Sequence, residues 1–264
     1  MARNGSSAGS GAFAVERQAL ILARLRADGR IAATALATEI GTSTETIRRD
    51  LIALEQTGSL RRVHGGAVLK STHSEVPDVH QRGTLMTGEK AAIAKLAVTL
   101  VPAVGVVLID GGTTTQALAD AYPHNHGTTV VTPSLAVATS MLKRSSASVH
   151  TLGGDVSPRT WSEGGPWTMR ALETLRAEMV FLGCSGFSAV HGASTSDQVD
   201  GEVKRAMVAA ARRVVLLADS SKIGTQHLAT FAEADRIDVL VTGRRADPDE
   251  LARITDAGVD VHTV

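Results

Sequence analysis

Two hydrophobic rhythms divide this chain. In the first, Leu20, Ile21, Leu22 and Leu25 gather on one side of a helix that begins near Val15 and closes at Asp28-Gly29. After a short extended link at Ile31, a second helix starts near Thr34 with Leu36, Ala37 and Ile40 inward, and Gly41 makes the turn. Ile47, Leu51 and Leu54 follow at i, i+4, i+7, the buried face of a third helix that ends at Gly58. That spacing points Glu45, Arg49, Ile52 and Gln56 away from the core, with Thr46 and Arg48 on the flanks. Thr42 and Ser43 are both N-cap candidates, and Thr42-x-x-Glu45 has capping-box spacing. Beyond it, Leu60, Arg62 and His64 alternate with Arg61 and Val63 up to Gly65-Gly66, a hairpin signal. Three helices and a small basic hairpin describe a winged helix.

The second rhythm starts at Glu89. Helices expected at 89–100, from Thr114, and at 135–142, 167–177, 201–213 and 248–257 alternate with apolar strands. The strands are expected at 104–110, 128–132, 148–152, 179–183, 214–218, 237–242 and 259–263. Alternation of this kind predicts an α/β domain with a mostly parallel sheet covered by helices on both faces. Between the rhythms, residues 71–88 are mixed and polar, with Pro77, Gly83 and Gly88, and read as a linker. The expected organisation is a disordered tail at 1–14, a winged helix-turn-helix domain at 15–70, the linker at 71–88 and a second domain at 89–264.

Charge sharpens this division. The chain is neutral overall, yet residues 1–70 carry 10 Lys and Arg against 6 Asp and Glu, a net of +4 that the rest of the chain offsets. A basic front end suits contact with double-stranded DNA. On the third helix Ser43, Thr44, Thr46, Arg48 and Arg49 are candidates for the major groove. In the hairpin Arg61, Arg62 and His64 are candidates for phosphates or the minor groove. The single cysteine, Cys184, excludes an intrachain disulfide and reads as a small buried hydrophobe, consistent with a reducing compartment. The longest apolar run, 104–109, is too short to cross a bilayer, so no membrane is expected and the cytoplasm is the expected location.

Candidate chemistry gathers where strands end. Asp110 closes a strand and leads through Gly111, Gly112, Thr113, Thr114 and Thr115 into a helix. Glycines admit an anion close to the backbone, and a helix start supplies free amides and a positive dipole end. With no lysine after the glycines, a small phosphorylated metabolite fits better than a nucleotide, and a plain threonine-capped turn is the other reading. Gly153 and Gly154 follow a second strand, Gly183 ends a third, Glu202 and Lys204 open a helix, and Lys222 follows a fourth strand. In an open α/β sheet these positions share one edge, with lysines to pair an anion and acids to accept sugar hydroxyls. His124-x-His126 has no cysteine or acidic partner nearby and reads as solvated, so no metal and no cofactor are expected.

In order and spacing, 46-TIRRDL-51, 62-RVHGGA-67, 110-DGGTTT-115, 152-LGG-154, 202-EVK-204 and 219-DSSK-222 resemble the DeoR family of bacterial transcriptional regulators, over about residues 15–264. The resemblance implies a repressor of sugar-utilisation genes whose C-terminal domain is similar in fold to ribose-5-phosphate isomerase and glucosamine-6-phosphate deaminase. It implies that Gly112 to Thr115 and Lys222 hold the phosphate of a sugar effector, with Glu202 and Lys204 near the sugar. A homodimer or homotetramer on an operator follows as an expectation. One departure is Thr132-Pro133-Ser134, where the family often has asparagine between threonine and serine. The alternative is an isomerase or deaminase of sugar phosphates with Glu202 as general base. The fused winged helix argues against an enzyme.

Overall fold

The computed structural model describes residues 14, 17–25, 30–56, 60–63, 65–69 and 79–264. The sequence expectations for the tail to residue 13, for Asp28-Gly29, Gly58 and His64, and for linker residues 71–78 fall outside the described residues. The chain divides into two compact units, Met1–Ser74 and Glu75–Val264.

In the first unit, helix α1 (17–25) is followed by strand β1 (Arg30–Ala32), α2 (Ala33–Ile40), α3 (Thr44–Gln56), β2 (Leu60–Val63) and β3 (Gly66–Leu69). Ile21, Leu25, Leu36, Ala37, Ile47, Leu51, Leu54 and Leu60 form its core, so the periodic face expected for α3 is the buried one. Leu20, expected on the apolar side of α1, is exposed instead, because the buried positions of that helix are Ile21 and Leu25, four apart. Gly41 ends α2 in the left-handed region at φ +72° and lets the chain turn into α3. The link at Ile31 is a true strand. It pairs with β3, which also pairs antiparallel with β2, giving the order β1-β3-β2.

The second unit opens with a short helix, α4 (Val79–Gly83), inside the stretch expected as linker. After it come α5 (Thr87–Val98), β4 (Val104–Ile109), α6 (Thr113–Ala121), β5 (Gly127–Thr132), α7 (Leu135–Arg144) and β6 (Ser148–Thr151). A small hairpin, β7 (Asp155–Val156) and β8 (Glu163–Gly164), precedes α8 (Pro166–Thr174) and β9 (Met179–Gly183). Then follow β10 (Gly186–Ser188), β11 (Gly192–Thr195), α9 (Gln198–Ala210), β12 (Val214–Leu217), β13 (Ala229–Ala232), β14 (Val239–Thr242), α10 (Pro248–Asp256) and β15 (Asp260–Thr263).

Seven strands make one parallel sheet in the order β15-β14-β12-β9-β4-β5-β6. Successive side chains point to opposite faces. Val107, Ile109, Met179, Phe181, Val215 and Leu217 pack with Ile93 of α5, Leu118 of α6 and Met141 of α7. Leu108, Val180, Leu182, Val214 and Leu216 pack with Leu172 of α8, Met207 of α9 and Ile254 of α10. The sheet is therefore covered on both faces. From β4 the order runs through β5 to β6 on one side and through β9 to β15 on the other. A crevice opens at such a reversal, beyond the carboxyl ends of β4 and β9. Helix α9 starts three residues before the expected 201, because the Asp197 side chain accepts from the Asp200 amide and caps it.

Candidate functional site

In the first unit α3 carries two arginines, Arg48 and Arg49, on its exposed side. Its N-cap is Ser43: Ser43 Oγ accepts from the Thr46 amide at 3.1 Å and lies 2.8 Å from Thr46 Oγ1. The capping box expected from Thr42 and Glu45 does not form, since Ser43 takes the cap position. Ser43 and Thr46 hydroxyls are thus engaged with each other, and Thr44 is half-buried. Arg48 and Arg49 remain free of the core, with side chains 62% and 79% exposed. Their helix is held from behind by an ion pair absent from the sequence reading. Asp50, on the buried side, accepts from Arg17 Nε and from Gln18. The signal for it was an aspartate within the apolar spacing of α3.

Arg61 and Arg62 lie on β2, next to β3. Arg62 is not a free phosphate reader as expected. Its amide and its Nε both donate to Glu55 at the end of α3, at 2.9 and 2.7 Å. These bonds, the amide first, hold the Glu55 carboxyl below its ordinary range. They also fix the hairpin against α3. A cleft of about 490 Å³ lies between the two, lined by Ala33, Arg48, Leu51, Arg62, Val63 and Gly66.

In the second unit the strand ends converge at the reversal of strand order. Asp110, just past β4, accepts the Gly183 amide across the gap at 2.9 Å and pairs with Lys204 of α9. Asp200, one turn earlier on α9, lies 3.7 Å from the same ammonium, and Phe231 offers its ring at 5.7 Å. Asp110 and Lys204 are both almost wholly buried. Burial pushes the Asp110 carboxyl above its ordinary value, Lys204 pulling the other way. Burial works against the Lys204 ammonium too, but Asp110 and Asp200 outweigh it and hold its value up. The half-buried Cys184 thiol beside them is pushed by burial to about 12, against the pull of Lys222 and Lys204.

Two cavities open in the second unit. One, of about 430 Å³, is lined by Lys90, Gly112, Thr113, Gln116, Ser134 and Trp161, among others. The first-turn amides of α6, at Thr113 to Thr115, precede the helical bonding pattern and stand beside it. Lys90 was missed by the sequence reading. It is buried on α5, donates to the carbonyls of Arg82 and Leu85 at 2.6 and 2.7 Å, and has no carboxylate within ion-pairing distance among the described residues. Burial, first of all, lowers its value. A lysine three and four residues before the buried Ile93 and Ala94 was the available clue. The other cavity, of about 380 Å³, is lined by Arg82, Arg159, Ser162, Ser185, Asp197 and Asp200, among others. Thr160 lines both.

Several expected effector residues take other parts. Glu202 is exposed on α9, because a two-residue step places it on the opposite side from the inward Lys204. Asp200 holds the inward position instead, with its carboxylate accepting from Thr195 and lying 3.7 Å from the Lys204 ammonium, so Glu202 is not the acid that lines the cavity. Gly153 donates its amide to Glu163 and its carbonyl accepts from Thr168, while a Cβ on Gly154 would lie 2.4 Å from the Gly164 carbonyl. Both glycines seat the β7–β8 hairpin and line neither cavity. The Gly183 amide is spent on Asp110. The Thr115 hydroxyl donates to the Gly112 carbonyl at 3.0 Å, and Thr114 is buried, leaving Thr113 and the helix amides to face the cavity. Lys222 is half-buried in a 3-10 turn, Ser220–Lys222, near enough to act on Lys90 and Cys184. Pro133 leaves its carbonyl to accept from Glu163, and Ser134 caps α7 through the Val137 amide. No group of His, Cys, Asp and Glu suited to a metal, and no helix long and apolar enough to cross a membrane, occurs among the described residues.

Comparison with known proteins bears on both units. Residues 17–73 match the DeoR-like helix-turn-helix domain, and residues 86–244 match the DeoR C terminal sensor domain. The putative aga operon transcriptional repressor of Escherichia coli O157:H7 is 31% identical over 93% of this chain and 92% of that protein. The HTH-type transcriptional regulator GolR of Listeria innocua is 30% identical over 94% and 98%. The repressor GlcR of Bacillus subtilis strain 168 is 31% identical over 87% and 88%. Among solved structures, ribose 5-phosphate isomerase A from Methanocaldococcus jannaschii aligns with a TM-score of 0.37 and 15% identity, over 50% of this chain and 52% of that one.

Proposed function

The chain belongs to the DeoR family of transcriptional regulators, and on that premise we propose that it represses carbohydrate-metabolism genes under the control of a phosphorylated sugar. It is a DNA-binding regulator and not an enzyme. The relatives named as the putative aga operon transcriptional repressor and the transcriptional repressor GlcR support the repressor reading. The observation that carries the effector reading is Lys90. Its ammonium is buried, hydrogen-bonds to carbonyls and has no carboxylate within ion-pairing distance among the described residues, on the wall of a cavity that also receives the open first turn of α6. A phosphate dianion seated there satisfies the cation, the free amides and the helix dipole together. The sugar hydroxyls then meet Thr113, Ser134 and Gln116, whose buried Oε1 has no donor partner.

The test is a thermal-shift panel of sugar phosphates and the matching free sugars. A cognate sugar phosphate at a hundred times its Kd is expected to add about 2.7 kcal/mol of stability. Lys90→Met is expected to abolish that shift, and the free sugar to give none. A panel in which no phosphorylated sugar raises the melting temperature overturns the reading.

On the DNA side we assign base contacts to Arg48 and Arg49, helped by Thr44, and backbone contacts to the β2–β3 hairpin through Arg61 and His64. Arg49→Ala is expected to weaken binding to the operator by about 1–3 kcal/mol in a titration at fixed salt. Unchanged affinity removes Arg49 from the interface. A homodimer or homotetramer would place half-sites one helical turn, or a multiple, apart.

A further inference from the structure

With base contacts assigned to Arg48 and Arg49, the reading on which this inference rests, Glu45 is the anomaly on the side of α3 that meets DNA. Its carboxylate is 62% exposed and lies between the two arginines, 3.8 Å from Arg48 Nη1 and 3.7 Å from Arg49 Nε. Both distances exceed a hydrogen bond, and among the described residues the Glu45 side chain accepts none. An acid with open acceptors therefore projects, one helical turn before Arg49, from the face that must approach a polyanion. Unless it meets a donor there, it opposes binding through repulsion by the phosphates and the loss of its own hydration.

The major groove offers a carboxylate few donors. Cytosine presents its N4 amine, and adenine presents its N6 amine beside an N7 acceptor that would repel a second carboxylate oxygen. Arginine in turn prefers the O6 and N7 of guanine. We propose that Glu45 is a specificity-determining residue that reads a cytosine N4 amine next to a guanine read by Arg49. The pairing makes each arginine contact conditional. At a cognate step the carboxylate is satisfied and leaves the guanidinium to its guanine. On any other sequence it stays unpaired in the groove and draws the arginines back toward itself.

An acid in the first helical turn also suits the positive end of the helix dipole. That role alone predicts a change in melting temperature with no change in base preference, so the two accounts separate. The experiment selects duplexes from a randomised library with the full-length wild type, Glu45→Gln and Glu45→Ala, and titrates each against a random-sequence duplex at several salt concentrations. The wild-type motif is expected to contain a cytosine adjacent to a guanine. Glu45→Gln, which keeps the shape and reads adenine N6 and N7, is expected to switch that cytosine to adenine. Glu45→Ala is expected to lose preference at that position, worth on the order of tenfold, and to bind random duplex more tightly. If the alanine variant does not fold, the glutamine variant reads the same position. A wild-type motif lacking the cytosine, or identical motifs from all three proteins, overturns the proposal.

Discussion

Lys204→Met is expected to destabilise the C-terminal unit by about 3–5 kcal/mol, read as a lower urea midpoint at unchanged slope. The ammonium it removes is the main partner of Asp110, which is only 1% exposed. Without it, Asp110 keeps the Gly183 amide and little else to repay the cost of a buried charge. The carboxyl would then take up a proton, and part of the lost stability should return as pH falls. Asp110→Asn leaves the lysine with Asp200 and the Phe231 ring, so its cost should be smaller. The double variant should cost less than the two single changes together, because each change removes the penalty the other creates. Additive losses would mean that the two groups are not coupled, and the buried pair would lose its place as the clasp between β4 and α9.

Gly66→Ala should abolish DNA binding while leaving the sensor unit folded. A Cβ at Gly66 would sit 1.9 Å from the Ile31 carbonyl and 3.0 Å from the Ala32 Cα, both backbone atoms that cannot swing aside. The pairing of Ala32 with Gly66 would have to part, and with it the three-stranded sheet that carries the hairpin. The expected cost is on the order of 3 kcal/mol, a large share of what so small a unit can hold. Operator titration reads the loss, and a sugar-phosphate thermal shift checks that the rest of the chain is intact. Gly65→Ala makes the contrast: it meets no atom within 4 Å but sits at φ +82°, so it tests backbone strain without a clash. Wild-type affinity from Gly66→Ala would show that the β1–β3 pairing is dispensable.

Much of the architecture was legible from residue order because it rests on local periodicity. Ile47, Leu51 and Leu54, at steps of four and three, form one stripe of a helix, and strands such as 179-MVFLG-183 are apolar on both faces, as a covered parallel sheet requires. The elements that went unread are short and rich in small residues. The β7–β8 hairpin and the β10, β11 and β13 strands, DV, EG, GFS, GAST and ATFA, hold few large apolar residues, so no apolar run marks them. These pieces matter at the site, since Ser162, Thr160 and Thr195 line its cavities.

The amino-acid order by itself determined the two units, the cationic face of the third helix, the strand–glycine–helix turn at Asp110 and the family. All of these are set by neighbours within a few residues. Only the tertiary structure decided which groups line the cavities. Strand order brings Gly183 to Asp110, which lie 73 positions apart in the chain, and helix phase turns Lys204 inward and Glu202 to solvent. Burial then decides what each charge can do. Lys90 lines a cavity and gives its hydrogen bonds to carbonyls, whereas Lys204, also buried, is bound to an acid, and no local pattern distinguishes the two.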